Sequence, residues 1–364
     1  MGRLQDLYTE QGQSPWLDNL KRGWITSGEV QRWVERGVRG ITSNPSIFQK
    51  AMESGDDYDA QLRDLMAGGN ASIEEAYWDL VVTDIRDALK LLRPVYDESD
   101  GVDGYVSIEV DPSLARDRIS TEASARHFHD LIDEPNLYVK IPATAEGVGA
   151  IEEMISEGRS INVTLIFSLE RYDDVMEAYV SGLERCAGDL PHVASVASFF
   201  ISRVDTEVDR RLDAIGTPEA LALRGTAAVT QGQLAYERFK EKFSGIRWNA
   251  LVARGARVQR PLWASTSTKN PAYPDTLYVD SLIGPDTVNT LPEATLDAFD
   301  DHGTLARTVD ADPAGAKDRW ARLGDMVDLD DVAKVLEDEG VGAFEKSLTG
   351  VLESLDHKAG ELTR

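Results

Sequence analysis

Eight short runs rich in apolar residues, separated by stretches with helical patterning, set the narrowest limit on how this sequence can fold. They fall at residues 14–20, 38–42, 104–110, 137–141, 161–167, 192–200, 261–266 and 276–279. Such runs suit parallel strands covered on both faces, where apolar residues follow one another instead of alternating with polar ones. The stretches between them suit covering helices. Ser27 is placed to cap a helix carrying Val30, Trp33 and Val34, which Gly37 ends. Ser72 and Glu75 form a capping-box pattern ahead of Ile73, Ala76, Tyr77, Leu80, Val81, Ala88, Leu89 and Leu92 on one helical face. Helices are also expected over 120–132, around Val148, Ile151, Met154 and Ile155, and after Ser168. Thr217-Pro218 opens a long one reaching about Phe243, and 327–358 reads as two more. Residues 53–70 read as an acidic, glycine-rich loop. With no linker and no repeated unit, the pattern predicts an α/β chain folded as a single (β/α)8 barrel domain over 1–364, with extra helices. A doubly wound open sheet is the alternative, weakened because no G-x-G-x-x-G or P-loop pattern occurs.

Charge excludes several partners. The chain has 64 acidic against 38 basic residues among 364, a formal net charge of −26. That field repels nucleic acid and anionic membrane, and no basic cluster offsets it. A small anionic substrate therefore needs a local pocket of Arg and Lys. No run of about 18 apolar residues is present, and the opening MGRLQDLYTEQGQS lacks an apolar signal core, so a cytoplasmic location is expected. A homo-oligomeric state is left open. Cys186 is the only cysteine among the 364 residues, so an internal disulfide is excluded and no metal site is expected. The pair His127-x-His129 reads as a solvated helix face.

Within the fourth run, LYVKI, Lys140 interrupts a strand that is otherwise apolar. Burial disfavours the charged form of a lysine, and a neutral amine attacks ketones. A structural lysine paired with a carboxylate is the plain alternative. The neighbouring strands favour chemistry, because polar residues gather at or near their C-terminal ends, where a barrel builds its site: Asp18, Thr42, Asn44, Ser107, Glu109, Asn162, Thr164, Ser198 and Arg203. A lysine amine condensed on a carbonyl acts as an electron sink, so a carbon–carbon bond can break without metal or cofactor. Glu109 and the Thr164 hydroxyl are candidate proton shuttles, and Asp18 a separate base. Asn44, Asn162 and Ser198 suit sugar hydroxyls. Arg203 suits a phosphate by its planar fork, with Lys269 adding charge beside Ser265 and Ser267.

At these residues the sequence resembles transaldolase. The matching segments are WLDNL, GITSNPSIF, VSIEVDPSLA, YVKIPAT, INVTLIFS, SFFISRVD and RPLWASTSTKNPAYPDTLYV, from about residue 16 to 290. They are specific as an ordered set, and the pattern looks most like the actinobacterial subfamily. The resemblance implies an α/β barrel enzyme of the pentose phosphate pathway that needs no cofactor. It would move a dihydroxyacetone unit between sugar phosphates. It makes Lys140 the Schiff-base lysine, Asp18 the acid/base, and Glu109 with Thr164 the water-positioning pair. Thr42, Asn44, Ser107, Asn162 and Ser198 become substrate-binding positions, and Arg203 the phosphate arginine. The chain departs from the commoner pattern at 264–269, which is longer and ends in lysine; Ser265 and Lys269 are the phosphate candidates there. Residues 300–328 match no familiar segment. A Schiff-base aldolase of the same barrel type, such as a fructose 6-phosphate aldolase, would release dihydroxyacetone instead. A silent sugar-phosphate-binding barrel would have lost the lysine or a carboxylate.

Overall fold

Seven parallel strands line up in the order β1-β7-β6-β5-β4-β3-β2 in the computed structural model, which describes residues 2–68, 71–188 and 190–362. They are β1 Gln13–Leu17, β2 Val106–Glu109, β3 Leu137–Pro142, β4 Ile161–Ile166, β5 Ser195–Phe200, β6 Arg260–Ala264 and β7 Thr287–Leu291. Every residue of these strands is buried, as expected for a sheet covered by helices. The two edges of the sheet are not free. Residues 39–42 run between them, and Ile41 bridges both Leu17 on β1 and Val106 on β2. On one side Arg39 and Thr42 donate to Pro15 and Leu17, and Leu17 donates to Gly40. On the other, Ile41 donates to Tyr105, and Gly104 and Ser107 donate to Arg39 and Ile41. An open, doubly wound sheet would have left both edges unpaired.

Side chains that bond past an intervening strand mark the interior of the curl. Asn162 on β4 donates to Ser107 on β2 across β3, at 3.0 Å. Arg260 on β6 donates to Ser14 on β1 across β7, at 2.6 Å. At the strands' N-terminal end Asp103 is the hub. It accepts from Ser14 (2.8 Å), Trp16 (3.0 Å), Arg39 (2.8 Å) and Arg260 (3.1 Å), so both carboxylate oxygens are used twice. Burial alone would push its carboxyl up, but Arg260 and Arg39 outweigh burial and hold it below the usual carboxylate value. The Arg39 guanidinium lies over the Tyr8 ring at 3.7 Å, so helix Arg3–Gln11 closes this end.

Several sequence-based boundaries are corrected. The last strand is β7 at TVNTL, whereas Thr276 to Val279 belongs to a short helix, Leu277–Asp280. A four-residue apolar run cannot reveal its own conformation, and here Tyr278 is held by a buried aspartate instead of a ladder. Residues 38–42 form only the single-residue bridge. Ser27 ends helix Arg22–Thr26, and the next helix, Glu29–Arg36, starts after Gly28. Helix Asp59–Ala67 occupies the expected loop at 53–70, of which Gly69 and Asn70 lie outside the described residues. Helix Ser202–Ile215 was not foreseen. The long helix expected from Thr217 is split into Pro218–Leu221 and Ala227–Lys242 by Gly225, whose φ is 69°. The C-terminus is one helix, Leu329–Leu362, preceded by Pro313–Met326. The capping box at Ser72 and Glu75 forms as expected.

The long terminal helix crosses the C-terminal ends of the strands. Gly340 lets it approach β4, where a Cβ would stand 3.0 Å from Leu165. Ser347 meets Ser46 at 2.7 Å.

Candidate active site

Parallel register sets the first relation in the site. Glu109 on β2 pairs with Lys140 on β3, and Lys140 with Asn162 on β4, so three of the side chains singled out from sequence stand abreast on the inner face. Lys140 Nζ is 3.3 Å from Glu109 Oε2 and donates to the Ser43 carbonyl at 3.1 Å. Both side chains are buried, and neither Glu109 oxygen has a hydrogen bond of good geometry. Burial pushes the Glu109 carboxyl above its usual value, against the pull of Lys140. Asp18 follows β1, where its N–H donates to Leu291 on β7 at 2.9 Å. Thr42 donates to Asp18 Oδ1 at 2.8 Å and lies 2.6 Å from the Thr290 hydroxyl. Burial also raises the Asp18 carboxyl, with Lys140 again opposing.

Thr164 owes its position to an irregularity in β4. The register with β5 shifts between Val163 and Ile166, and Leu165 adopts φ 59°, a left-handed conformation that costs a leucine about 1–3 kcal/mol. The Thr164 hydroxyl is buried without a partner. Ser198 donates to Asn162 Oδ1 at 2.7 Å, extending the Asn162–Ser107 contact into a three-residue chain.

Above these groups opens a cavity of about 550 Å³, walled by Asp18, Thr42, Asn44, Lys140, Thr164, Ser198, Arg203, Ser265 and Lys269. Nine of the twelve residues singled out from sequence therefore share one wall. Glu109, Ser107 and Asn162 do not reach it. Glu109 supports Lys140 from beneath, and Ser107 and Asn162 are wholly buried below Ser198. Asn44 caps helix Pro45–Glu53 through the Ile47 N–H at 3.0 Å.

Besides Lys140, four cations reach the cavity: Lys21, Lys50, Arg203 and Lys269. Among the described residues none of the four has a carboxylate ion-pair partner, in a chain where acids outnumber bases. The Arg203 guanidinium lies 5.4 Å from the Phe200 ring centroid, and burial lowers its pKa. Lys269 is lowered by burial first and then by the charge of Arg203. An anion between them would relieve both effects. Sequence reasoning missed Lys21, which immediately precedes helix Arg22–Thr26, and Lys50 on helix Pro45–Glu53, positions that carry no local signal. It also missed Phe344, which reaches the cavity from the terminal helix, and Glu293, which holds Asn19 at 2.8 Å.

The histidine pair is divided, because positions two apart face opposite sides of a helix. His127 is exposed, whereas the His129 ring turns inward and burial pushes its pKa down to about 4. Among the described residues no group of three or more His, Cys, Asp or Glu is arranged to hold a metal ion, and no helix is long and apolar enough to cross a membrane.

Residues 15–355 match the family model described as Transaldolase/Fructose-6-phosphate aldolase. The chain is 52% identical over 359 residues to a protein named Transaldolase from Thermobifida fusca, covering 97% of each chain. It is 51% identical over 355 residues to a Transaldolase from Frankia alni, covering 96% of this chain and 95% of that one. A Transaldolase 2 from Streptomyces avermitilis is 50% identical over 357 residues, again covering 96% and 95%.

Proposed function

The chain belongs to the transaldolase/fructose-6-phosphate aldolase family, and on that premise we propose that it is a transaldolase of the pentose phosphate pathway, working in the cytoplasm. It moves a dihydroxyacetone unit from sedoheptulose 7-phosphate to glyceraldehyde 3-phosphate, giving erythrose 4-phosphate and fructose 6-phosphate. The fold reading is a single (β/α)8 barrel domain over 1–364, with 38–42 in the eighth strand position. The hydrogen bonds that 39–42 makes to both sheet edges support it.

The observation that carries the reading is the buried Lys140 amine 3.3 Å from Glu109, on the floor of a cavity walled by Asp18, Thr164 and unpaired cations. The Lys140 amine, with its proton passed to Glu109, attacks the ketone carbon of the donor. Its lone pair forms the C–N bond as the carbonyl oxygen takes up a proton, and water then leaves to give an iminium. Glu109 serves the proton transfers, with a water held at the unpartnered Thr164 hydroxyl. Asp18 then removes the proton from the hydroxyl carried by the carbon at the far end of the breaking bond, which becomes the aldehyde. The C–C electrons flow into the iminium, an enamine remains on Lys140, and the aldose leaves. The acceptor aldehyde reverses these steps. The electron sink is organic, so neither metal nor cofactor enters. The raised carboxyls of Asp18 and Glu109 suit this work, since a stronger base at neutral pH gives more effective proton transfer.

A coupled assay with sedoheptulose 7-phosphate, with and without glyceraldehyde 3-phosphate, tests the reading. Turnover should require the acceptor. Steady release of dihydroxyacetone without it would favour the aldolase branch of the family. Sodium borohydride with fructose 6-phosphate should add a reduced three-carbon unit to Lys140, and labelling at another lysine would overturn the assignment.

A further inference from the structure

Arg203 and Lys269 reach the cavity from different parts of the chain. Arg203 sits in the first turn of helix Ser202–Ile215, and Lys269 on the connection after β6. Both are cationic and mutually repelling, so something must hold the two carriers together while the cavity is empty.

Contacts at three places join them. At the base, Ser202 donates its N–H to the Ser265 carbonyl at 3.0 Å, and the two hydroxyls also meet at 3.0 Å. On the helix, Asp205 lies two residues beyond Arg203, about 200° further round, and Asp209 one turn later on that same far face. Asp205 Oδ2 accepts from the Tyr278 hydroxyl at 2.9 Å, while its Oδ1 accepts from the Ala228 N–H at 2.8 Å. Asp209 Oδ2 accepts from the Tyr273 hydroxyl at 2.6 Å, and its Oδ1 from the Gly225 N–H at 2.8 Å. Both carboxylates are buried and use both oxygens. Gly225 fits closely under the tyrosine, since a Cβ there would stand 2.8 Å from the Tyr273 ring. Tyr273 and Tyr278 thus bracket the far end of the connection that carries Ser267 and Lys269.

We propose that the Tyr273–Asp209 and Tyr278–Asp205 hydrogen bonds are a positioning device that fixes the Lys269 connection against the Arg203 helix, and so sets selectivity for phosphorylated over unphosphorylated donors. None of the four residues touches the cavity; they act through Arg203 and Lys269. The inference rests on the transaldolase reading of the same site.

The test compares kcat/KM for fructose 6-phosphate and for fructose, with one acceptor, in the wild type, Tyr273→Phe, Tyr278→Phe and Arg203→Ala. Phenylalanine keeps each ring and removes only the hydroxyl. Tyr273→Phe should raise KM for fructose 6-phosphate about 3- to 10-fold, the loss of one charge-assisted bond partly transmitted. Its kcat, its Lys140 adduct under borohydride at saturating donor, and its kcat/KM for fructose should stay within about twofold. Tyr278→Phe should behave alike. An equal fall for both donors would make the tyrosines merely structural and overturn the inference. So would unchanged selectivity in both variants while Arg203→Ala collapses it. If the wild type itself forms no Lys140 adduct, the functional reading fails instead, and the two failures are told apart.

Discussion

The two ends of the sheet's interior bury the same kinds of group and treat them oppositely. At the N-terminal end Asp103 meets two arginines, a serine and a tryptophan, every oxygen is bonded, and its carboxyl is held down. At the C-terminal end Glu109 has one lysine at 3.3 Å and no well-formed hydrogen bond, Thr164 has no partner, and burial pushes both Glu109 and Asp18 up. A fully satisfied buried ion cluster specifies structure. An under-satisfied one stores reactivity. The difference teaches that burial alone does not single out a carboxylate as a catalytic candidate; burial with unfilled bonding capacity beside a lysine amine does.

The sharpest way to break this comparison is to exchange what each end loses. Lys140→Ala should abolish turnover and borohydride trapping while the protein stays folded. Glu109→Gln should slow trapping by about 10²–10⁴-fold, the usual worth of a general acid–base group. Asp18→Asn should still be trapped yet lose turnover by a similar factor, because the role proposed for Asp18 is at bond cleavage. Equal trapping rates in the two variants would erase the division of labour at the upper end.

At the lower end the loss should appear in stability. Asp103→Ala leaves the buried Arg260 and the half-buried Arg39 without their counter-ion and should cost about 3–5 kcal/mol, read from urea unfolding. Asp18→Asn keeps an acceptor for Thr42 and should leave stability unchanged or raise it by up to about 1 kcal/mol. If Asp18→Asn proves as destabilising as Asp103→Ala, the two ends do not differ in kind.

The pH dependence of unfolding carries the same contrast with opposite signs. A carboxyl held down in the folded state contributes stability above its ordinary value that is lost as pH falls through the folded value, and Asp103 is of this kind. Asp18 and Glu109 are raised, so their contribution is complete below the ordinary carboxylate value and is lost as pH rises through their folded values. Asp103→Asn should therefore flatten the acid limb of the stability curve. Asp18→Asn should instead remove part of the decline above the ordinary carboxylate range. Identical effects on both limbs would contradict the assigned directions.

The smallest effects belong to the cavity rim. Arg203→Ala should lower kcat/KM for fructose 6-phosphate by about 10- to 150-fold, as for a charge-assisted bidentate contact of about 1.5–3 kcal/mol. Lys50→Ala, on an exposed side chain, should cost only about 1.4- to 5-fold, and less at high salt.

What the sequence determined by itself were features written within a few residues. The polar side chains breaking apolar strands and the Ser72–Glu75 capping box are local, and local sterics and hydrogen bonding enforce them in almost any surrounding. The period-two geometry of a strand likewise puts Ser107 and Glu109 on one face locally. Only the tertiary structure decided that TVNTL is a strand and TLYV a helix, because each short run takes its conformation from neighbours far along the chain. Only it separated Ser107 and Asn162, buried below the cavity, from Ser198 on its wall, since depth depends on register between strands. The bulge that turns Thr164, the Asp103 cluster, and the arrival of Lys21, Lys50 and Phe344 at the cavity all depend on contacts between distant segments. Such contacts arise when the sheet curls and its two edges meet through Ile41, and no window of sequence contains that closure.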